Sequence, residues 1–375
     1  MDDEMWTLLS NADRALGRLD GSTEALPNPD LFVLMYVRKE AVLSAQIEGT
    51  QASLAEVLEL EAQVLDATKP SDALEVVNYI DAMNHGLGRL KDLPVSLRLI
   101  REIHGRVIDS TRGAEKNPGE FRTSQNWIGA SSSNLKTAKF IPPPPHEMQA
   151  ALGDLERFVH DETPMPSLLK VGLVHAQFET IHPFLDGNGR VGRLLITFRL
   201  CERRILQRPL LYLSYYFKQH RTEYYDRLQS VRDHGDWEGW LKFFLRGVYE
   251  VAQEATETAR YIVNLRERHR QLIVDQGGRS AGTMMRLLDQ LFDHPVVTVS
   301  LVERLVGIKF PNANNLVKSF VSMGLLEEIS GRERKRVFLY GEYFRLFHDQ
   351  EVELSEEDIV ESLDEEQTLH QADGS

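Results

Sequence analysis

A single cysteine, Cys201, stands among 375 residues, so the chain has no internal disulfide and no multi-cysteine zinc or iron–sulfur site. It lies in the helical pattern LLITFRLCERR and reads as a core thiol. No apolar run reaches the ~18 residues that a membrane span needs. The acidic start MDDEMW has neither the basic nor the apolar region of a signal peptide, which gives the expectation of a cytoplasmic protein without membrane contact. A Walker loop, a dinucleotide-binding fingerprint and zinc-ligand spacing are all missing, as is any internal repeat. What is present is an ordinary globular balance, 42% hydrophobic and 27% charged, which excludes disorder throughout. The length suggests two or three domains.

Charge is unevenly placed. The net charge is −14, but residues 349–375 hold eleven Asp/Glu and no Lys/Arg, leaving 43 basic against 46 acidic residues elsewhere, a net of −3. That acidic tail reads as a solvated, self-repelling extension.

Helical periodicity dominates the body. Leu31, Leu34, Met35, Val42 and Leu43 follow the capping residue Asn28 and precede Gly49, predicting a helix over about 29–47. Further helical patterns fill 53–66, 71–91, 95–110, 147–160, 167–181, 189–205, 221–229 and 236–269. Between them, residues 119–146 carry glycines, SSSN and PPPP around NWIG and AKFI, which reads as a loop with a two-stranded hairpin. QLIVDQGGRSAG, near 270–282, reads as a linker. Beyond it come helical patterns near 283–293, 299–306 and 312–323, then LLEEIS and VFLY around the basic turn GRERKR, the order of a winged helix.

The chemistry concentrates in HPFLDGNGRVGR, residues 182–193, between two predicted helices. Gly187 and Gly189 let the backbone turn tightly against a ligand, and the following helix offers unpaired N–H groups and its positive end to an anion. Arg190 and Arg193 share a helix face and supply forked donors suited to phosphate oxygens. Asp186 is a hard ligand suited to Mg²⁺ alongside substrate phosphates. His182 is a base suited to deprotonating a hydroxyl. At ~one in twenty per position, eight fixed residues coincide by chance on the order of 10⁻¹⁰ per start site.

This segment resembles the signature of the Fic family, HxFx(D/E)GN(G/K)RxxR, at every specified position. The resemblance implies a mainly α fold with a β-hairpin flap, and a protein adenylyltransferase that uses ATP and Mg²⁺ to move AMP onto a Ser, Thr or Tyr hydroxyl of a target protein. It implies His182 as general base, Asp186 as metal ligand, Asn188 with the Gly187 and Gly189 backbone as an anion hole, Arg190 and Arg193 as phosphate clamps, and Phe184 as the loop's anchor. GEFRTSQNWIGASSSNLKTAKFIPPPP resembles the family's flap, which holds the target by strand pairing. Gln177, Tyr216 and Lys218 fall where relatives line the nucleotide pocket.

Upstream, Ser44-Ala45-Gln46-Ile47-Glu48-Gly49 resembles the family's inhibitory pattern (S/T)xxxE(G/N). Ser44 and Glu48 lie four apart on the last turns of a helix, where the carboxylate could pair with Arg193 and deny it to the γ-phosphate. The resulting division is an N-terminal helical region, 1–95, with its inhibitory helix near 29–49; a core, 96–270; a winged helix, 283–345; and the tail, 349–375. AMP removal by the same site is the close alternative, with Glu48 positioning a water. A DNA-binding regulator is the alternative of another class: Lys309, Lys318, Arg332, Arg334, Lys335 and Arg336 stand against Glu303, Glu327, Glu328 and Glu333, a balance that favours weak DNA contact. Target recruitment or a homodimer is the preferred use of that domain, with catalysis independent of it. His104 and His175 have no metal-ligating partner at useful spacing and read as core histidines, and Trp237 and Trp240 as anchors of the next helix.

Overall fold

The computed structural model describes residues 2–24, 29–62, 64, 72–109, 116–129, 135–331 and 335–348. The acidic tail, Arg332, Glu333, Arg334 and the SSSN tip of the expected hairpin lie outside these residues. Helices α1 (Asp3–Glu24), α2 (Pro29–Ile47), α3 (Leu54–Glu61), α4 (Asp72–Arg89) and α5 (Leu97–Val107) precede the flap region. After it come α6 (Pro145–His160), α7 (Ser167–Ile181), α8 (Asn188–Glu202), α9 (Ser214–Gln219), α10 (Arg221–His234) and α11 (Trp237–Gln276). The last part runs α12 (Ala281–Leu291), β1 (Val296–Thr298), α13 (Val299–Val306), α14 (Phe310–Ser322), β2 (Glu327–Glu328), β3 (Val337–Leu339) and α15 (Gly341–His348). The fold is mainly α, as expected, and its one sheet among the described residues is antiparallel, in the order β1-β3-β2 with Val297 opposite Phe338.

The centre of the molecule is the pair α7 and α8, buried on nearly every side and joined by the signature loop. Polar pins fix their neighbours. Buried His175 of α7 contacts the Gly192 carbonyl of α8 through Nδ1 and the Tyr224 hydroxyl of α10 through Nε2, each at 2.9 Å. Trp240 of α11 donates its indole N–H to the Gly172 carbonyl of α7 at 2.8 Å. These are the core histidine and the helix anchor that the sequence suggested.

Helix α2 is built into this body. Its Tyr36 hydroxyl donates to the Ala255 carbonyl of α11 at 3.0 Å. Glu40, fully buried, accepts from the Ser214 hydroxyl at 2.6 Å and main chain at 3.0 Å, and from Tyr79 at 3.2 Å. Burial pushes the Glu40 carboxyl up to about 7, against the lowering effect of those donors and of Arg193.

Three sequence expectations change. Helix α1 was absent from the sequence reading, although Met5, Leu9, Ala12, Leu16 and Leu19 are buried at alternating spacings of four and three, the seam along which it packs on α11. The expected linker at 270–282 is mostly helix, because α11 runs on to Gln276 and a short 3₁₀ turn, Gly278–Ser280, leads straight into α12. The expected two-stranded hairpin is, among the described residues, a single antiparallel bridge between Ile128 and Phe140.

The C-terminal part also rests directly on α2. Arg38 of α2 reaches Glu61 at 2.8 Å and Asp293 at 3.5 Å, and Phe347 of α15 meets Tyr36 edge-on at 5.4 Å. The C-terminal part therefore shares a buried junction with α2. Phe347→Ala removes a buried ring from this junction and should destabilise the chain by about 3–5 kcal/mol in chemical denaturation. A loss below about 1 kcal/mol would place Phe347 among surface residues.

Candidate active site

The signature loop begins where α7 stops. His182 takes the left-handed conformation, φ 49° and ψ 62°, and turns the chain off the helix. Phe184 then plunges into the core, where it is fully buried and stacks on His104 with ring centroids 3.7 Å apart. His104 holds both ends of its surroundings: Nδ1 accepts the Gly119 N–H at 2.8 Å, and Nε2 faces the Asp186 carbonyl at 3.1 Å. With Nδ1 accepting, the proton sits on Nε2, and burial pushes this histidine down to about 4.

Gly187 closes the loop with φ +74°, a backbone sign that favours glycine, and an added Cβ there would have to push aside the Ile108 terminal methyl, 2.7 Å away. The Asn188 side chain, which the resemblance implied as part of the anion hole, is engaged at both ends of its amide by the loop itself. Its Oδ1 accepts the Phe184 N–H at 2.8 Å and its Nδ2 donates to the Phe184 carbonyl at 2.9 Å. It is the clasp that shapes the loop. No side chain caps the start of α8, so its main-chain donors and positive dipole face the site.

Glu48 fills that position. Its Oε1 stands 2.6 Å from Arg193 Nη2 and 2.2 Å from where a Cβ on Gly189 would lie. Ser44 completes the grip, its hydroxyl accepting from Arg193 Nε at 2.8 Å and its carbonyl from Nη2 at 2.9 Å. Arg193 is buried with 2% of its side chain exposed, whereas the Glu48 side chain keeps 35% exposed. Burial would raise the Glu48 carboxyl, but Arg193, with Arg190 and Arg221 behind it, outweighs burial and holds it below the usual carboxylate range.

The other expected residues are dispersed around this centre. Arg190 donates to Glu75 of α4 at 3.2 Å and to Asp186 at 3.5 Å, while Thr50 also donates to Glu75 at 3.2 Å. Asp186 accepts the Gly187 N–H at 2.5 Å and keeps 44% of its side chain exposed, open to a further ligand on its solvent side. Lys218 donates to Gln46 of α2 at 2.9 Å. Tyr216 is packed away from the nucleotide role, its ring 5.0 Å from that of Phe243 and tight against Gly247 of α11. Gln177 is half-buried on α7, one turn and a half before His182.

His182 itself sits among Arg232, Arg122, Glu48 and the Glu179 backbone, and its Nδ1 is buried with no hydrogen-bond partner among the described residues. Burial first, then the charge of Arg232, pushes it down to about 4, with Glu48 opposing. Neutral over the physiological range, it can accept a proton. Glu179, one turn earlier on α7, is buried and pushed up to about 7 by burial, although Arg193 opposes the shift. Sequence reasoning passed over Glu75, Glu179, Arg122 and Asn126; of these only the last two had a local signal, Asn126 as the first residue of NWIG and Arg122 four residues before it.

Comparison with known proteins places these residues in a family. Residues 6–88 match the description Fic/DOC family N-terminal, and residues 94–200 match Fic/DOC family. This chain carries the Fic/DOC family domains. The Fic signature loop, His182–Arg193, lies inside the second match, and Ser44 and Glu48 lie inside the first. Proteins named protein adenylyltransferase Fic from Culex quinquefasciatus and Aedes aegypti are 31% and 30% identical over 240 residues, 60% of this chain. The chain spans 44% of the length of these relatives. A crystal structure of a Fic family protein from Desulfovibrio desulfuricans G20 has the same fold, with a TM-score of 0.59 at 18% identity, covering 90% of this chain and 96% of that one.

The depressed basicity of His182 has a measurable consequence. An unfolded histidine titrates near ~6.5, so the native state binds that proton less readily, and this site's contribution to stability, complete above ~6.5, is lost as pH falls toward 4. The imidazole ¹⁵N resonances of His182 should stay those of a neutral ring down to about pH 5. A titration midpoint near ~6.5 would contradict the buried, cation-flanked setting.

Proposed function

We propose that the chain is a self-inhibited protein adenylyltransferase. In the active arrangement ATP takes the position that Glu48 holds, its α-phosphate over the start of α8 and its γ-phosphate on Arg193. His182 removes the proton from a target hydroxyl, the oxygen attacks the α-phosphorus, the bond to the β-phosphate oxygen breaks, and pyrophosphate leaves with its electron pair. AMP remains on the target. The observation that carries this reading is the Glu48 carboxylate 2.6 Å from Arg193 and pressed over Gly189, an anion already seated at an uncapped helix start.

The residues present fit a Mg²⁺ ion. Among the described residues no cluster of three or more His, Cys, Asp or Glu side chains forms a protein cage for a metal. Asp186 is a single, accessible carboxylate beside the phosphate position, the donor set of an ion shared with substrate phosphates. When bound, Mg²⁺ would neutralise phosphate charge; Asp186 is the residue to hold it.

We assign the flap around Ile128 and Phe140 to holding an extended target segment, since Trp127 and Ile141 expose 42% and 47% of their surface beside it. The helix–strand–helix–helix–hairpin order of α12 to β3 is read as a winged helix. Phe310 and Val321 are exposed on α14, at 49% and 40%, which favours a protein partner, recruited target or second copy, over DNA. No helix among the described residues is long and apolar enough to cross a membrane.

The experiment is intact-mass measurement of self-labelling with MgATP. Arg193 is buried but Glu48 is partly exposed, so the pair restrains the site by roughly one to two steps of ~1.4 kcal/mol. Glu48→Gly should therefore raise the rate of +AMP labelling about tenfold to a hundredfold. Adding His182→Ala should abolish that labelling while MgATP still binds, because phosphate contacts come from Arg193 and the α8 main chain. A well-folded Glu48→Gly protein that does not label, yet removes AMP less well than the parent, would favour AMP removal with Glu48 as a catalytic group.

A further inference from the structure

Arg122 is a buried cation satisfied entirely by carbonyl oxygens. The residue is 2% exposed, and its side chain donates from Nε to the His182 carbonyl at 3.0 Å, from Nη1 to Ser124 at 3.1 Å, and from Nη2 to Pro143 at 2.5 Å and Ile181 at 3.5 Å. Two of these carbonyls bracket the flap and two end α7. Its own main-chain N–H adds a bond to the Pro183 carbonyl at 2.9 Å. Asn126, also at the flap's base, donates to the same His182 carbonyl at 3.3 Å and to that of Phe184 at 2.9 Å.

These bonds converge on the residue whose backbone most needs them. His182 is left-handed at φ 49°, a conformation that costs a non-glycine residue of order 1–2 kcal/mol and persists only where neighbours impose it. That turn takes the chain off the end of α7 and so sets where the imidazole stands. A guanidinium has a planar fork that can reach carbonyls on both sides at once, which the point charge of a lysine cannot.

We propose that Arg122 is a positioning residue for His182: its fork fixes the left-handed turn that aims the imidazole and, through the Ser124 and Pro143 carbonyls, sets the flap in register with it. Asn126 is the secondary donor of the same clamp. The inference rests on reading His182 as the base of AMP transfer, and it adds the element that ties the target-holding segment to that base. A flap and a base joined by one side chain place hydroxyl and imidazole together without either touching Arg122.

The test uses full-length Glu48→Gly protein as parent, with Arg122→Lys, Arg122→Ala and Asn126→Ala added separately. Initial self-labelling rates are measured against MgATP concentration, together with amide hydrogen exchange followed by mass spectrometry. For Arg122→Lys the labelling kcat should fall about a hundredfold, the scale of an ~1 Å misplacement, while KM for ATP stays within about threefold because the phosphate contacts are elsewhere. Asn126→Ala should fall by about fivefold, and millimolar guanidinium, but not equal sodium chloride, should restore part of the Arg122→Ala rate. Peptides covering residues 182–188 should exchange at least about tenfold faster, with α11 unchanged.

A folded Arg122→Lys protein with parental kcat and parental exchange at 182–188 would overturn the proposal. So would faster exchange throughout the chain, with kcat and KM altered together, because that is general loosening. If Arg122→Ala does not fold, the Arg122→Lys and Asn126→Ala measurements decide. If the Glu48→Gly parent itself fails to label, the adenylyltransferase reading fails, and the exchange at 182–188 still decides whether Arg122 holds His182.

Discussion

A guanidinium carried into the interior on α8 must find an anion and several acceptors, because leaving a permanent charge unpaired there is among the costliest faults a fold can carry. Arg193 finds all of them at the end of α2: the Ser44 hydroxyl, the Ser44 carbonyl and, just past the helix, the Glu48 carboxylate. That pairing sets the placement of α2 against α8 and decides what sits at the start of α8. The same arginine that would bind phosphate is thereby part of the core's polar framework. Removing Glu48 would strip away the carboxylate but leave both Ser44 acceptors to Arg193.

Around this pairing the remaining polar groups hold position. Asn188 clasps the loop at Phe184, His104 holds the Asp186 carbonyl from beneath, and Arg122 grips the His182 carbonyl from the flap side. Arg190 rests on Glu75 and Asp186. The loop's shape is thus held largely by main-chain carbonyls accepting from buried side chains, which leaves the α8 main-chain donors and the exposed edge of Asp186 for a ligand. Helix α2, which ends one residue before Glu48, meanwhile touches the last part of the chain through Arg38 with Asp293 and Tyr36 with Phe347.

Much of this was legible in the sequence because it is local. The extent of α2, Pro29 to Ile47, follows from its apolar period and from Gly49 past its end, and the turn at Gly187 in the signature loop follows from its glycine. The Glu48–Arg193 pair, 145 residues apart, was reachable only because both ends sit in recognisable patterns. Glu75 had no such mark: it meets Arg190 across 115 residues from an ordinary amphipathic helix. The bonds of the Asn188 amide to Phe184 were not legible, because the resemblance names a role for the residue and not its contacts within the loop. Helix α1 is hard to see in the sequence since alanines make up part of its buried seam, and paired glycines at 277–278 look the same whether the chain wanders or turns once into the next helix, as it does here.

The central claim is that Glu48 restrains the site through Arg193, and a double-mutant cycle addresses it most directly. Self-labelling rates with MgATP are compared for the parent, Glu48→Gly, Arg193→Ala and the double mutant. The account predicts that the gain from Glu48→Gly all but disappears when Arg193 is alanine, since the freed arginine is the source of the gain. An equal gain from Glu48→Gly in both backgrounds would contradict it.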